Sequence, residues 1–148
     1  MKIRTAKSRD QKAWAEMRSQ LWPDSADGHM GEIEEYFSGK SIDIVEAFVV
    51  EEEGGALVGF IELNIRNFAE GSRSPRLPYV EAWFVRADYC GKGYGTALMR
   101  HAEKWAIERG YQELASDTEI ENTTSIAIHK QLGFIETERV VCFLKKLS

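Results

Sequence analysis

The chain has 148 residues, of which 43% are hydrophobic and 29% charged, and its 24 acidic against 19 basic side chains give a formal net charge of −5 at pH 7. A chain of this length and composition is expected to fold as one domain, residues 1–148, without disulfide or metal staples, and its acidic balance argues against nucleic acid as a partner and favours a cationic ligand. With only two cysteines, no secretory leader and no apolar run near the roughly 18 residues that span a bilayer, we expect a cytoplasmic protein that does not enter the membrane.

The first half of the chain is predicted to hold two helices and three strands. Trp14, Met17 and Leu21 recur at helical spacing and indicate a helix, with Ser8 and Gln11 as a capping pair at its start. Residues 22–28 break that helix. The other predicted elements are a strand at 3–5, a short helix ending at Gly39, and a hairpin of strands 44–52 and 56–65 around a turn at 53–55.

The second half is predicted to alternate strands with helices. A strand at 79–85 leads through a glycine turn at 91–95 into a helix that ends near Arg109, where Gly110 stops it. Beyond it we expect a strand at 113–116, a helix at 122–132 and a last strand at 137–144. This order predicts an α/β domain with a central mixed sheet and helices on its faces.

The glycine turn between strand and helix is the strongest chemical signal. Closely spaced glycines let backbone N–H groups approach an anion, and the helix N-terminus behind them adds partial positive charge, so a phosphate or pyrophosphate is the natural guest. The spacing of Gly91, Gly93 and Gly95 fits neither a Walker loop nor a dinucleotide-binding fingerprint. From the glycines alone, a plain turn remains an equal alternative.

Two segments carry a family resemblance. Residues 88–98, DYCGKGYGTAL, resemble motif A of the GNAT N-acetyltransferases, and residues 122–134, NTTSIAIHKQLGF, resemble the second signature of that family. The element order extends the resemblance to the whole chain. It implies an α+β, largely antiparallel sheet with a splayed strand pair that binds acyl-CoA, with acetyl-CoA as co-substrate and no metal. The acetyl-CoA-binding residues it implies are Trp83, Phe84, Val85, Gly91, Lys92, Gly93, Tyr94, Gly95, Thr96 and Asn122.

Two positions depart from the family pattern. Cys90 stands where the family has Arg or Gln; we expect a small buried residue there, the alternative being a thiol activated by the nearby helix N-terminus. His129 stands where many members have a Tyr that protonates the departing thiolate. It is interpreted either as a packed helix residue or as a proton donor for that thiolate.

Finer resemblance bears on the acceptor. Residues 21–23, 80–85, 115–117, 121–123 and 132–141 resemble the chromosomal type of aminoglycoside 6′-N-acetyltransferase. That likeness implies acetylation of the 6′-amino group by direct attack in a ternary complex, antibiotic resistance as the outcome, and a homodimer, through the C-terminal strands. The alternatives are a polyamine, a small amine or a protein N-terminus as acceptor, or a non-catalytic acyl-CoA-binding module.

The resemblance also assigns acceptor residues. Trp22 would stack on a sugar, Glu81 and Asp117 would hold or deprotonate amino groups, and Glu138 would contact another ring. Phe68 replaces a Tyr of the subgroup, so a hydroxyl contact is lost. Asp117 is the leading candidate for the base and Glu81 the second, acting through water.

Each of these residues also has a structural alternative. Asp117 would cap the following helix, Trp22 would be a hydrophobic staple at the end of the first helix, and Glu138 would be a solvated strand residue. By alternation Glu81 shares a strand face with Trp83, where a charge is unusual unless a ligand or partner satisfies it.

Overall fold

A computed structural model describes residues 1–148, apart from the side chain of Ala26. Its sheet has five strands in the spatial order β1-β2-β3-β4-β5. Neighbouring strands are antiparallel except for the parallel pair β4 and β5. The strands are β1 (Lys2–Thr5), β2 (Glu46–Glu51), β3 (Leu57–Arg66), β4 (Leu77–Val85) and β5 (Ala115–Ser116). The predicted mixed, largely antiparallel sheet is confirmed.

Helices cover both faces of this sheet. They are α1 (Gln11–Leu21), α2 (His29–Phe37), α3 (Tyr94–Glu108) and α4 (Thr123–Gln131). Alternate residues of β2 point to opposite faces: Ala47 and Val49 pack into the core under α1 and α2, whereas Phe48 and Val50 pack into the core under α3. The predicted helices are therefore confirmed, and the sheet lies between two apolar layers.

A bulge interrupts the pairing of β3 with β4. Glu62 pairs with Ala82 and Leu63 pairs with Val80, so Glu81 has no partner of its own on β3. A bulge breaks the alternation of a strand and re-aims the side chains beside it. The predicted common face of Glu81 and Trp83 is therefore wrong.

The parallel pair at the edge of the sheet separates early. β5 pairs with β4 only at Ala115 and Ser116, opposite Tyr79 and Val80, whereas β4 runs on to Val85. Residues 81–85 of β4 therefore have no strand partner on the β5 side, and the space beside them is called the wedge below. The family resemblance implies a splayed strand pair at this place.

The predicted last strand, 137–144, does not form. No helix or strand follows α4 among the described residues, and the apolar side chains of this tail stay outside the core, with Phe143 and Leu144 91% and 92% exposed. A strand needs a partner with free backbone groups, and among the described residues this tail pairs with no strand of the sheet. The sequence pattern of residues 137–144 is that of a strand, and it does not show whether a second strand is available to pair with.

The start of α1 also differs from the prediction. Ser8–Asp10 form a 3₁₀ turn, and it is the Asp10 carboxylate that accepts the Lys7 amide, at 2.7 Å, not a pair formed by Ser8 and Gln11. Elsewhere the boundaries of the predicted elements move by one or two residues. No helix among the described residues is both long and apolar enough to cross a bilayer.

Candidate active site

The glycine turn joins β4 to α3 in a geometry suited to an anion. Gly91 and Gly93 have φ of 81° and 88°, a left-handed conformation that other residues rarely adopt, and Gly93 is the N-cap of α3. No side chain caps this helix N-terminus, so its first amides are free of a side-chain acceptor. Trp83 Nε1 donates to the Gly95 carbonyl at 3.0 Å and ties the start of α3 to β4. The turn and helix can therefore hold a pyrophosphate.

The side chains of the turn point in several directions. Lys92 Nζ lies 5.2 Å from the Tyr89 ring, the Tyr94 hydroxyl donates to Glu52, and Thr96 is exposed in the first turn of α3. Cys90 is exposed, with Sγ 3.6 Å from the Arg86 carbonyl. The expectation of a buried Cys90 is wrong because the turn lies outside both cores.

The wedge offers unpaired backbone next to this turn. Trp83, Phe84 and Val85 lie on the part of β4 that has no neighbour on the β5 side. Backbone groups there are free to pair with an extended ligand that carries amides of its own. The ten residues predicted to bind acetyl-CoA thus fall around one wedge and one turn, except Asn122, whose side chain caps α4 by accepting the Ser125 amide at 3.0 Å.

Glu81 is held at the bulge by an arginine. Arg66 Nε and Nη2 donate to the two Glu81 oxygens at 2.7 and 2.6 Å, and Asn64 Nδ2 adds a third hydrogen bond at 3.0 Å. The Glu81 side chain is 17% exposed and that of Arg66 39%. The two hydrogen bonds that Arg66 donates to Glu81 raise the pKa of Arg66. Three donors already surround the Glu81 carboxylate, and one of them is a cation.

Asp117 lies directly after β5 and meets Tyr79 of β4. The buried Tyr79 hydroxyl donates to Asp117 Oδ2 at 3.0 Å, and burial together with the Asp117 charge raises the pKa of Tyr79. Arg66 Cζ lies 3.7 Å from the centroid of the Tyr79 ring. A chain of contacts therefore joins Glu81 to Asp117. The alternative of Asp117 as the α4 cap is wrong, since Asn122 fills that position.

A pocket opens beside this cluster. Its volume is about 530 Å³ and its lining includes Asn64, Arg66 and Phe68. Phe68 is 62% exposed and presents an apolar surface there. The pocket adjoins the carboxylate cluster through Asn64 and Arg66, which both contact Glu81.

Trp22 and Glu138 lie outside that pocket lining. Trp22 ends α1, half-buried, with the Arg18 guanidinium 5.1 Å from its ring and the His29 ring stacked at 5.9 Å. Trp22 packs against the core that lies under α1 and α2, which places it on that face of the sheet. Glu138 is exposed in the C-terminal tail. The contacts of a substrate with either residue stay predictions.

Sequence reasoning singled out His129 but missed its partner. His129 Nδ1 lies 2.8 Å from the Ser125 carbonyl and donates to it, so Nε2 is left to accept from the Ser116 hydroxyl at 2.8 Å. Ser116 ends β5 where the wedge opens, and the His129 ring packs edge-on against Trp83 at 5.2 Å. The signal for this pair was available, since Ser116 precedes Asp117 at the end of a predicted strand.

Arg66, Asn64 and Tyr79 were also missed as site residues. Asn64 and Arg66 alternate with apolar residues at the end of β3, a period-2 pattern that could have indicated a polar strand face. No group of three or more metal-ligating side chains suited to an ion occurs among the described residues.

Comparisons with known proteins bear on this geometry. The model of the acetyltransferase (GNAT) family matches residues 12–134. An aminoglycoside N(6′)-acetyltransferase type 1 of Klebsiella aerogenes is 38% identical over 98% of this chain and 96% of its own length. One from Stenotrophomonas maltophilia is 36% identical over 99% of this chain and 94% of its own.

Solved structures agree with these relatives. The apo aminoglycoside 6′-N-acetyltransferase AAC(6′)-Ig of Acinetobacter haemolyticus is similar with a TM-score of 0.88 and 32% identity, over 100% of both chains. AAC(6′)-Iy in complex with the bisubstrate analogue CoA-S-monomethyl-acetylneamine is similar with the same score and identity, over 98% of this chain and 97% of that one.

Proposed function

The chain belongs to the acetyltransferase (GNAT) family, and from that premise we propose that it transfers the acetyl group of acetyl-CoA to the 6′-amino group of an aminoglycoside. One observation carries the choice of acceptor. Full-length relatives at 36% and 38% identity are aminoglycoside 6′-N-acetyltransferases, and this chain places two carboxylates, Glu81 and Asp117, in one connected cluster beside the wedge.

The co-substrate would occupy the wedge and the glycine turn. The amides at Gly93 and the first turn of α3 would hold the pyrophosphate, and the free side of β4 at residues 83–85 would pair with the pantetheine arm. This arrangement would bring the thioester to the point where β4 and β5 separate, next to Ser116 and Asp117. Binding both substrates there supplies proximity without a covalent intermediate.

The acceptor amine must lose a proton to attack the thioester. Asp117 accepts one hydrogen bond, from Tyr79, and keeps lone pairs free for an amine or an ordered water. Glu81 already accepts three hydrogen bonds. We therefore assign the base to Asp117, acting directly or through water, and the holding of a substrate ammonium group to Glu81.

The departing thiolate needs a proton in return. The Ser116 hydroxyl lies at the opening of the wedge and donates to His129 Nε2. We propose that this pair passes a proton to the thiolate when His129 carries a proton on both ring nitrogens: the Ser116 hydroxyl proton moves to the thiolate, Nε2–H moves to Ser116 Oγ, and neutral His129 keeps its proton on Nδ1. The hydrogen bond from Nδ1 to the Ser125 carbonyl fixes the ring for that role.

The test is acetyl transfer followed by CoA thiol release. We expect turnover with kanamycin and tobramycin and none with an aminoglycoside that carries a 6′-hydroxyl. Asp117→Asn should lower kcat by about 10²-fold or more, the range of general-base catalysis, with unchanged acetyl-CoA affinity. Glu119→Gln removes a nearby exposed charge and serves as the matched control.

Other outcomes would redirect the proposal. Turnover only with spermidine or a peptide amine would retain the acetyltransferase and refute the aminoglycoside. Acetyl-CoA binding without turnover on any amine in the panel would favour a non-catalytic acyl-CoA-binding module. Equal turnover of 6′-amino and 6′-hydroxyl compounds would refute the 6′ position.

We further propose that the protein works as a homodimer. Its C-terminal tail carries Val141, Phe143 and Leu144 at 79–92% exposure, more apolar surface than a tail left in water would favour. A second copy of the chain would cover it and supply the missing strand partner. We expect a mass of two chains by light scattering, and Phe143→Glu should shift it toward one chain. A single-chain mass for the unaltered protein would refute the dimer.

The cellular setting follows from the substrates and the thiols. Cys90 and Cys142 are both exposed and unpaired with each other, which is typical of a reducing compartment, and we place the protein in the cytoplasm. Expression in a susceptible bacterium should raise the inhibitory concentration of tobramycin and leave that of a 6′-hydroxyl aminoglycoside unchanged. No protection despite soluble expression would refute a role in resistance.

A further inference from the structure

Arg66 contacts Glu81 directly and reaches Asp117 through Tyr79. Its Nε and Nη2 donate to the two oxygens of Glu81 at 2.7 and 2.6 Å. Its Cζ lies 3.7 Å from the centroid of the Tyr79 ring, and the Tyr79 hydroxyl donates to Asp117 at 3.0 Å. Arg66 thus touches Glu81 itself, and it is connected to Asp117 by one intervening residue, Tyr79.

The charge of Arg66 makes its position informative. The proposed acceptor is a polycation, and a fixed positive side chain within hydrogen-bond distance of Glu81 opposes the binding of more cations. An arginine here therefore needs a benefit that outweighs this repulsion. The benefit that its contacts offer is geometric, because a guanidinium is planar, binds both oxygens of a carboxylate at once and lies flat on an aromatic ring.

We propose that Arg66 is a positioning residue for the acceptor site, which sets the place of Glu81 through a two-point clamp and the place of Asp117 through the ring of Tyr79. The inference rests on the proposed acetylation of an aminoglycoside and adds a residue that touches neither reacting atom. Lysine cannot replace it, since an ammonium group is a single point charge that neither clamps both oxygens nor covers the ring.

The test compares two substitutions with a control of the same charge. Arg66→Lys keeps the cation and loses the clamp, and Arg66→Met loses both. Arg73→Met removes a positive charge from the exposed loop between β3 and β4, outside the pocket lining. Measured on kanamycin, both Arg66 variants should lose about tenfold or more of kcat/KM, because small displacements of catalytic groups cost that much or more. Arg73→Met should stay within about twofold of the unaltered protein, as surface changes usually do.

A double-mutant cycle separates positioning from a general loss of structure. Tyr79→Phe keeps the ring under Arg66 and removes the hydrogen bond to Asp117. If Arg66 acts on Asp117 through Tyr79, the combined loss of kcat in Arg66→Lys/Tyr79→Phe should be smaller than the product of the two single losses. Acetyl-CoA affinity and the thermal unfolding midpoint should change little in any of these proteins.

Three results would overturn the inference. The first is Arg66→Lys with unaltered kcat/KM, since charge alone would then suffice. The second is Arg66→Met with a lower KM and unchanged kcat, which would mean that Arg66 only repels the cationic substrate. The third is single losses that multiply in the cycle. If Arg66→Met fails to fold, Arg66→Lys and Tyr79→Phe still decide the matter.

The unaltered protein keeps the two proposals apart. If it acetylates no aminoglycoside, the proposed function fails before any variant is compared. If it acetylates kanamycin and the Arg66 variants behave like the control, only the positioning role fails.

Discussion

Two arginine–carboxylate pairs of similar geometry serve different regions of this molecule. Arg4 donates to both Asp10 oxygens at 2.7 and 2.9 Å, as Arg66 does to Glu81 at 2.6 and 2.7 Å. The side chains of the first pair are 11% and 5% exposed, and those of the second 39% and 17%. The ionic groups are of the same kind, but the first pair, called the closed pair below, is mostly buried, and the second, called the open pair, is partly exposed.

The surroundings of each pair decide what it does. Asp10 also accepts the Lys7 amide and Arg4 also reaches Glu51, so this pair joins β1, β2 and the start of α1. Arg4 and Asp10 also line a pocket, of about 350 Å³, but the Asp10 side chain is only 5% exposed. Arg66 lines the pocket of about 530 Å³ and contacts both Glu81 and Tyr79. The buried pair, whose hydrogen bonds tie three elements together, stabilises the fold, whereas the more exposed pair can receive a ligand.

The largest expected effect comes from breaking the open pair. Glu81→Gln should lower kcat/KM for kanamycin on the order of 100-fold, because a hydrogen bond to a charged group contributes about 1.5–3 kcal/mol. The thermal midpoint should change little, since Arg66 can turn to solvent. Steady-state acetylation and a thermal scan on the same samples check both statements.

The matched control for this change is Glu103→Gln. Glu103 forms an i,i+3 pair with Arg100 on the surface of α3, away from the cluster, and its loss should leave the acetylation rate unaltered. If Glu81→Gln were to unfold the protein while the remaining folded molecules kept full activity, the open pair would belong to the fold and not to the site.

Breaking the closed pair should reverse that pattern. Asp10→Asn should lower the free energy of unfolding by about 2–3 kcal/mol, because it leaves Arg4 without its main partner in a mostly buried place. Acetylation per folded molecule should stay unchanged. Urea unfolding followed by fluorescence measures the first quantity, and assays well below the unfolding midpoint measure the second. A variant that keeps its stability and loses activity would contradict the assignment.

The sequence predicted the elements around the site better than the contacts within it. The glycine turn follows from a local pattern of strand, glycines and helix, and the wedge is what the family resemblance implies. The pairing of Arg66 with Glu81 depends on the register of β3 against β4 and on a bulge at Glu81. One extra residue in a strand reverses the faces of those that follow, and nothing in the local pattern marks where it lies.

Two other misses have a similar cause. The segment 137–144 has the alternation of a strand, but a strand also needs a free neighbour, and that is a property of the assembled chain. The capping pattern at Ser8 was overridden by Asp10, whose carboxylate gains Arg4 as a second partner from β1. In both cases a partner distant in sequence decided the outcome.

The contribution of the closed pair, Arg4 with Asp10, to the free energy of unfolding should decrease at acidic pH. Burial alone would raise the pKa of Asp10, but the hydrogen bonds from Arg4 and the Lys7 amide outweigh it and hold that pKa below its usual 3.8. The stabilisation is thus fully present above pH 3.8 and is lost as the pH falls through the lower, folded value. The difference in unfolding free energy between the unaltered protein and Asp10→Asn should therefore shrink in acid. A difference that stays constant down to pH 2 would contradict this.

A third arginine–carboxylate pair, Arg18 with Glu62, has a guanidinium that is poorly aligned with the carboxylate. Glu62 is buried on β3 and accepts Trp14 Nε1 at 2.8 Å, but Arg18 Nη2 reaches it only at 3.4 Å, and Arg18 Nε, 2.9 Å away, makes no hydrogen bond. Burial therefore outweighs the attraction to Arg18 and raises the pKa of Glu62 to about 7. Compared with Asp10, the direction of the shift is reversed.

Because the pKa of Glu62 is raised and that of Asp10 is lowered, the two carboxylates should change the free energy of unfolding in opposite directions with pH. The change from Glu62 is the smallest effect predicted here. Between pH 5 and 7 the folded state holds the Glu62 proton and the unfolded state releases it, so stability should fall by about 1–2 kcal/mol as the pH rises. Glu62→Gln cannot titrate and should match the unaltered protein at pH 5 and exceed it at pH 7.5 in urea unfolding. Other titrating groups cancel in that comparison. If the glutamine variant is instead less stable at pH 7.5, Arg18 stabilises the Glu62 anion despite its alignment, and the pair behaves as the closed pair of Arg4 does.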